Sequence, residues 1–144
     1  MARIARRTEA AIDPTLFEKR SATPHFVAGA VSESAVLVAR ATGAKAIVTP
    51  TAWGATPRFV ARLRPDVPII ALTGRLPTAR FLNFSWGVES VHAPKLGNLE
   101  ATIRFGLALL KKHKVAKKGD RVVFTSGFPS GGQSSNLLTV QVMK

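Results

Sequence analysis

Two short stretches of the chain carry the residue types that handle anions. The first is Thr51-Ala52-Trp53-Gly54-Ala55-Thr56, followed two residues later by Arg58. Glycine lets the backbone approach a ligand closely, threonine hydroxyls donate hydrogen bonds, and a guanidinium adds charge-assisted ones. Pro57 suits the first turn of a helix, where its missing N–H costs nothing. A helix starting there aims its positive end and free amides at whatever sits above the loop. The second stretch, Gly127 to Ser135, sets Gly131, Gly132, Ser134 and Ser135 in a run of glycine and serine. Both stretches read as an anion cradle or, equally, as plain tight turns at strand ends.

Other chemistry is not spelled out. Thr125, Ser126 and the serines of the late loop have no His or Asp beside them to make a nucleophile. His25, His92 and His113 are far apart and unmatched with carboxylates, so neither a triad nor a metal site is expected. The late loop lacks the G-x-x-x-x-G-K-[ST] spacing of a P-loop. The chain has no cysteine, which removes disulfides, thiol catalysis and Cys-based metal sites. No catalytic residue and no metal ligand is therefore assigned.

The charge balance is lopsided, with 21 Lys plus Arg against 8 Asp plus Glu, a formal +13. Such a surface favours phosphates, nucleic acid or other anionic partners, and its plain alternative is solvation. Arg3, Arg6 and Arg7 near the start hint at an organelle-targeting segment, but Glu9 and Asp13 fit a folded helix better. A cytoplasmic location is the expectation and an organellar one the alternative. No apolar run approaches the length of a membrane span.

The elements that position the two loops follow from pattern. The 144 residues, 46% of them apolar, fit one domain with a single core. Ala2 to Ile12 puts Ile4, Thr8, Ala11 and Ile12 on one helical face, and Thr15 to Phe26 reads as a crossing connection. Gly29 to Ala41 forms a second helix with Val31, Ala35, Val38 and Thr42 on its face, and Gly43 as its C-terminal cap. Ala46 to Thr49 is a buried strand broken by Pro50, and Pro57 to Leu63 the helix after it. Pro68 to Leu72 is a second strand, Leu76 to Phe84 a shorter helix, and Val88 to Val91 a third strand. Leu99, Ile103, Leu107 and Leu110 mark a long helix closed by Lys111, Lys112 and Lys114. Arg121 to Thr125 and Leu137 to Val142 are the fourth and fifth strands.

Alternating strands and helices predict an α/β fold, a three-layer α/β/α arrangement around a mostly parallel five-stranded sheet. The last connection carries no helix, so the fifth strand is expected to be antiparallel. Ligands of such sheets collect beyond the carboxyl ends of the strands, where both candidate loops would lie.

Five motifs in register then carry a resemblance: GAKAIV, T-x-x-G-x-T-x-R, RPDVPIIALT, TARFLNFSWGV, and KKGDRVVFTSGFPSGG with Asn136. Together they resemble the C-terminal domain of pyruvate kinase, a glycolytic phosphotransferase, and the opening MARIARRTEAAID resembles the boundary of that domain. The resemblance covers nearly all of residues 1–144 and implies a single domain of that kind. It also implies that the catalytic barrel, with its phosphoenolpyruvate, nucleotide, magnesium and potassium ligands, lies outside this chain, which then needs no cofactor and is inactive alone. In that family the C-terminal domain helps assemble the homotetramer and often holds a phosphorylated effector. The resemblance places one effector phosphate on Thr51, Ala52, Trp53, Gly54, Ala55 and Thr56, with Arg58 nearby. It brings the late loop, with Gly131, Gly132, Ser134 and Ser135, over the other side of a sugar phosphate or nucleotide monophosphate. Three positions depart from the family pattern: Trp53 replaces a small hydroxyl residue, Gln133 stands at a common glycine, and Ser134-Ser135-Asn136 replaces Thr-Thr-Asn.

Three functions follow as hypotheses. One is effector binding and subunit assembly within a pyruvate kinase. The second is a detached copy of the domain acting as a basic structural subunit of a larger, RNA-containing assembly, with Lys111 to Lys118 and scattered arginines neutralising phosphates. The third, an independent enzyme acting at the strand ends, has the least support because no acid–base pair is visible.

Overall fold

The computed structural model describes residues 3–4, 7–8, 11, 27–127 and 135–144. Helix α1, Val27–Thr42, ends in a Schellman turn in which Gly43 N–H donates to Arg40 and Ala44 N–H to Ala39. Gly43 takes φ +62°, the left-handed conformation that favours glycine. The face that α1 buries is made of small residues, Ala28, Ser32, Ala35 and Ala39, with Val36. This differs from the expected face: Val31, Val38 and Thr42 are only half-buried and flank it.

Strand β1, Ile47–Pro50, leads to α2, Ala55–Arg62, and β2, Ile69–Thr73, leads to α3, Leu76–Leu82. Then come β3, Val88–His92, α4, Leu99–Lys112, β4, Arg121–Ser126, and β5, Leu137–Val142. Pro50 sits inside β1 as its last residue rather than ending it early. It needs no N–H there, because the ladder continues through Thr51 N–H to the Leu72 carbonyl.

The sheet order is β3-β2-β1-β4-β5. β1 pairs parallel with β2 and β4, and β2 with β3, while β5 runs antiparallel to β4. The fold is therefore the α/β arrangement expected, with the last strand reversed. One face packs α1 and α2 on Ile47, Ile69 and Val123. The opposite face packs α4 on Val48, Ile70, Leu72, Val122 and Phe124. α3 shares the α1–α2 face, since Ser90 on the same side of β3 donates to its Ala79 carbonyl.

α4 rests unusually close to the sheet. A Cβ at Gly106 would fall 2.8 Å from Phe124 Cε1 and 3.4 Å from Val48 Cγ1. Its N-terminus is capped by Asn98, whose Oδ1 accepts from Ala101 N–H at 2.8 Å.

Of the expected first helix, Arg3, Ile4, Arg7 and Thr8 are helical, and Ile4, Thr8 and Ala11 are exposed. The rest of it, and the expected connection from Thr15 to Phe26, lie outside the described residues. No described helix is long and apolar enough to cross a membrane.

Candidate functional site

Strand order reverses between β1 and β4, and the crevice of an open α/β sheet forms beyond the carboxyl ends of such a pair. The loop after β1 carries Thr51 to Gly54, and the late loop returns to β5 through Ser135 and Asn136. The two are joined directly. Thr56 Oγ1, in the first turn of α2, and Ser135 Oγ share a buried hydrogen bond of 2.6 Å. Asn136 N–H, next along, donates to the Ser126 carbonyl at the end of β4.

The first loop is braced from within. Gly54 N–H donates to Thr51 Oγ1 at 2.9 Å, and Thr78 Oγ1 of α3 donates to the Ala52 carbonyl at 3.1 Å. Gly54 has φ +83°, and a Cβ there would lie 3.0 Å from Leu82 Cδ2. Glycine is needed at this position for backbone conformation and for packing against α3. The Gly54 amide is thus engaged by Thr51, and the amides that open α2 without a preceding carbonyl are those of Ala55 and Thr56.

The expected site residues that are described fall into three groups. Thr56 and Ser135 meet. Thr51, Ala52, Gly54 and Ala55 form the loop beside them, with Ala52 and Ala55 exposed. Trp53 and Arg58 turn toward the α3 side instead. Trp53 is 58% exposed, and the Arg75 guanidinium lies 3.7 Å from its ring centre. Arg58 lies 5.6 Å from the Phe81 ring centre. Gly131, Gly132 and Ser134 lie outside the described residues, as does Gln133.

Three further residues were not among the expected anion-binding residues, although Thr125 had been weighed as a nucleophile. Thr49 and Thr125 are fully buried, and their hydroxyls have no hydrogen-bond partner among the described residues. They continue the register Ile47↔Val123, Val48↔Phe124, so they face the α1–α2 side at the carboxyl ends of β1 and β4. Arg75 follows β2, its N–H bonded to Thr73 Oγ1. The strand-end rule that flagged the β1 and β4 loops applies to its loop as well. Buried strand threonines carry no such signal.

Among the described residues no group of three or more His, Cys, Asp or Glu side chains is placed to hold a metal ion. His92 Nε2 lies 3.1 Å from the Gly74 carbonyl, and His113 caps the exposed end of α4.

Residues 29–141 match the family described as pyruvate kinase, alpha/beta domain. The chain belongs to the pyruvate kinase family. It is 34% identical over 146 residues to the pyruvate kinase of Geobacillus stearothermophilus, covering 99% of this chain and 25% of that relative. It is 33% identical to that of Clostridium acetobutylicum, covering 100% of this chain and 31% of the relative. Among solved structures, Cryptosporidium parvum pyruvate kinase in complex with ADP superposes with a TM-score of 0.85 at 29% identity, covering 94% of this chain and 28% of that one. This chain thus spans only about a quarter to a third of the pyruvate kinases it matches. The part shared is the C-terminal alpha/beta domain.

Proposed function

We propose that this chain serves a pyruvate kinase as its regulatory and assembly domain. It takes a phosphorylated effector, a sugar phosphate or a nucleotide monophosphate, in the β1–β4 crevice, and it joins subunits into a homo-oligomer. The phosphoryl transfer chemistry, with its magnesium and potassium, falls to residues other than these. The observation that carries the reading is the Thr56–Ser135 hydrogen bond, which ties the start of α2 to the residue that leads into β5.

The physical support is local. The amides of Ala55 and Thr56 and the positive end of α2 offer a place for a phosphate dianion. Trp53, one of the three departures from the family pattern, is held on the β2 side under Arg75. For assembly, β5 is an edge strand among the described residues and its Val142 is exposed; a sheet edge is a ready partner surface.

Calorimetry with fructose bisphosphate, ribose phosphate and AMP tests the effector reading. Saturable binding of one of them, lost in Ser135→Ala, supports it. Absence of binding by all three removes the effector from the proposal. The chain by itself is expected to form no pyruvate from phosphoenolpyruvate, and turnover by pure protein would overturn that part.

A further inference from the structure

A second surface lies away from the crevice, along the seam between α2 and α3. Three arginine–aromatic pairs cross it from one end to the other. Arg75 covers Trp53 where both helices begin, Arg58 in the middle of α2 covers Phe81 near the end of α3, and Arg64 covers Trp86 beyond both ends, at 3.7, 5.6 and 4.7 Å from the ring centres. Arg64 holds its place with φ +49°, a left-handed conformation uncommon for a residue with a side chain. The outer pairs lie just beyond the two ends of α2, a helix of eight residues and about 12 Å.

The rings are not buried between the helices. Phe81 is 55% exposed, and Phe84, in the turn just after α3, is 90% exposed. Arg62 and Arg80 are exposed on the same two helices. Arg40 pairs with Asp66 at 3.9 Å, but among the described residues no carboxylate pairs with Arg58, Arg62, Arg75 or Arg80. The seam therefore presents flat π faces and guanidinium planes interleaved with positive charge that no described carboxylate pairs.

We infer that the α2–α3 seam binds single-stranded nucleic acid. Unpaired bases stack on aromatic rings and guanidinium planes, and arginines beside them neutralise the phosphates. A duplex hides its base faces and would use only the charge. An acidic peptide would likewise use the charge but has no comparable run of planar groups to match the rings. The formal +13 of the whole chain adds long-range attraction in the same sense. The lysines at the end of α4, Lys111, Lys112, Lys114, Lys117 and Lys118, are exposed too, but the exposed ring described on that helix, Phe105, stands singly and has no guanidinium over it among the described residues. Charge alone would select them; stacking selects the seam. This inference does not depend on an effector in the crevice.

The chain supplies its own reporter, because its two tryptophans, Trp53 and Trp86, both belong to the seam. A fluorescein-labelled uridine dodecamer is titrated into the full chain, with binding read by anisotropy and, using unlabelled dodecamer, stacking read by tryptophan quenching. Binding is expected with quenching, and with a log K against log salt slope of about −3 for four engaged arginines. Phe84→Ala and Trp53→Ala should each weaken binding about 5-fold or more, as loss of one stacked base does. Phe84 is so exposed that its variant keeps the fold, which circular dichroism checks. Arg62→Ala with Arg80→Ala should flatten the salt slope by about one to two units.

Any of four results overturns the inference. The dodecamer does not bind at 50 mM salt; it binds without quenching and no better than heparin; Phe84→Ala and Trp53→Ala leave affinity unchanged while substitution of Lys111, Lys112 and Lys114 abolishes it; or polyglutamate binds more tightly and quenches as strongly, which would assign the seam to an acidic protein.

Discussion

The hydrogen bond between Thr56 and Ser135 makes the crevice a structural unit, and its removal has a calculable cost. Both residues are only 5% exposed, and the oxygens are 2.6 Å apart. Thr56→Val keeps the side-chain volume but strands the Ser135 hydroxyl, which should cost about 1–3 kcal/mol. Ser135→Ala strands the Thr56 hydroxyl and should cost a similar amount. The double variant leaves no stranded group, so its loss should fall short of the sum of the two by about 1 kcal/mol or more. Urea unfolding followed by tryptophan fluorescence reads all three. In a thermal scan each kcal/mol should appear as about 3 °C for a domain of this size. Single variants that each lose less than half a kcal/mol, or losses that add without coupling, would show that the two loops are not joined through these hydroxyls. The crevice would then lose the contact that defines it.

Three further outcomes test the frame around the site. Asn98→Ala removes the side-chain cap of α4 and should destabilise by about 1 kcal/mol in urea unfolding. Gly106→Ala gains about 1 kcal/mol of helix propensity but drives a methyl into the buried Phe124 ring, a cost of about 1–3 kcal/mol, so a net loss is expected. In a Phe124→Leu background the same substitution should become stabilising relative to Phe124→Leu alone. Thr49→Val and Thr125→Val remove hydroxyls that have no partner among the described residues and should be neutral or stabilising by up to about 1 kcal/mol in thermal scans. A loss above 1 kcal/mol in either would place a bonded group, such as an internal water, beside that hydroxyl.

The strands were legible because burial on both faces writes them as unbroken apolar runs. Ile69 to Thr73 is buried at every position, and its sequence has no polar alternation to obscure it. Gly43 was legible as a cap because glycine is the residue that most readily takes the left-handed conformation after a helix, although Arg64 takes it after α2 here. The reversal of β5, now seen, was expected because the Gly/Ser-rich sequence between Ser126 and Leu137 carries no helical pattern for a crossover. The buried face of α1 was not legible in the same way. Weighting by hydrophobicity selects Val31 and Val38, whereas contact with the sheet and α2 selects the small stripe Ala28, Ser32, Ala35 and Ala39. In the site, glycine and threonine announced the Thr51–Thr56 loop. They could not announce that Arg58 would turn to Phe81, because that depends on where α3 lies.

The same reasoning explains why the seam was invisible and why it is regular. Its paired residues stand 22 or 23 residues apart in sequence, Trp53 with Arg75, Arg58 with Phe81, Arg64 with Trp86. That is also the offset of the parallel register, in which Ile47 lies opposite Ile69. β1–α2 and β2–α3 are thus successive units of one length laid side by side by right-handed crossovers, so equivalent positions face each other across the seam. Arginine and aromatic residues at equivalent positions meet whatever else the chain does. The crevice belongs to the reversal between β1 and β4, and the seam to the repeat of β1 and β2. Two sites built on different relations between strands can be altered separately: Ser135→Ala should leave oligonucleotide binding intact, and Phe84→Ala should leave the Thr56–Ser135 coupling intact. Failure of that separation would mean that α2 transmits between them, since it is the element both sites share.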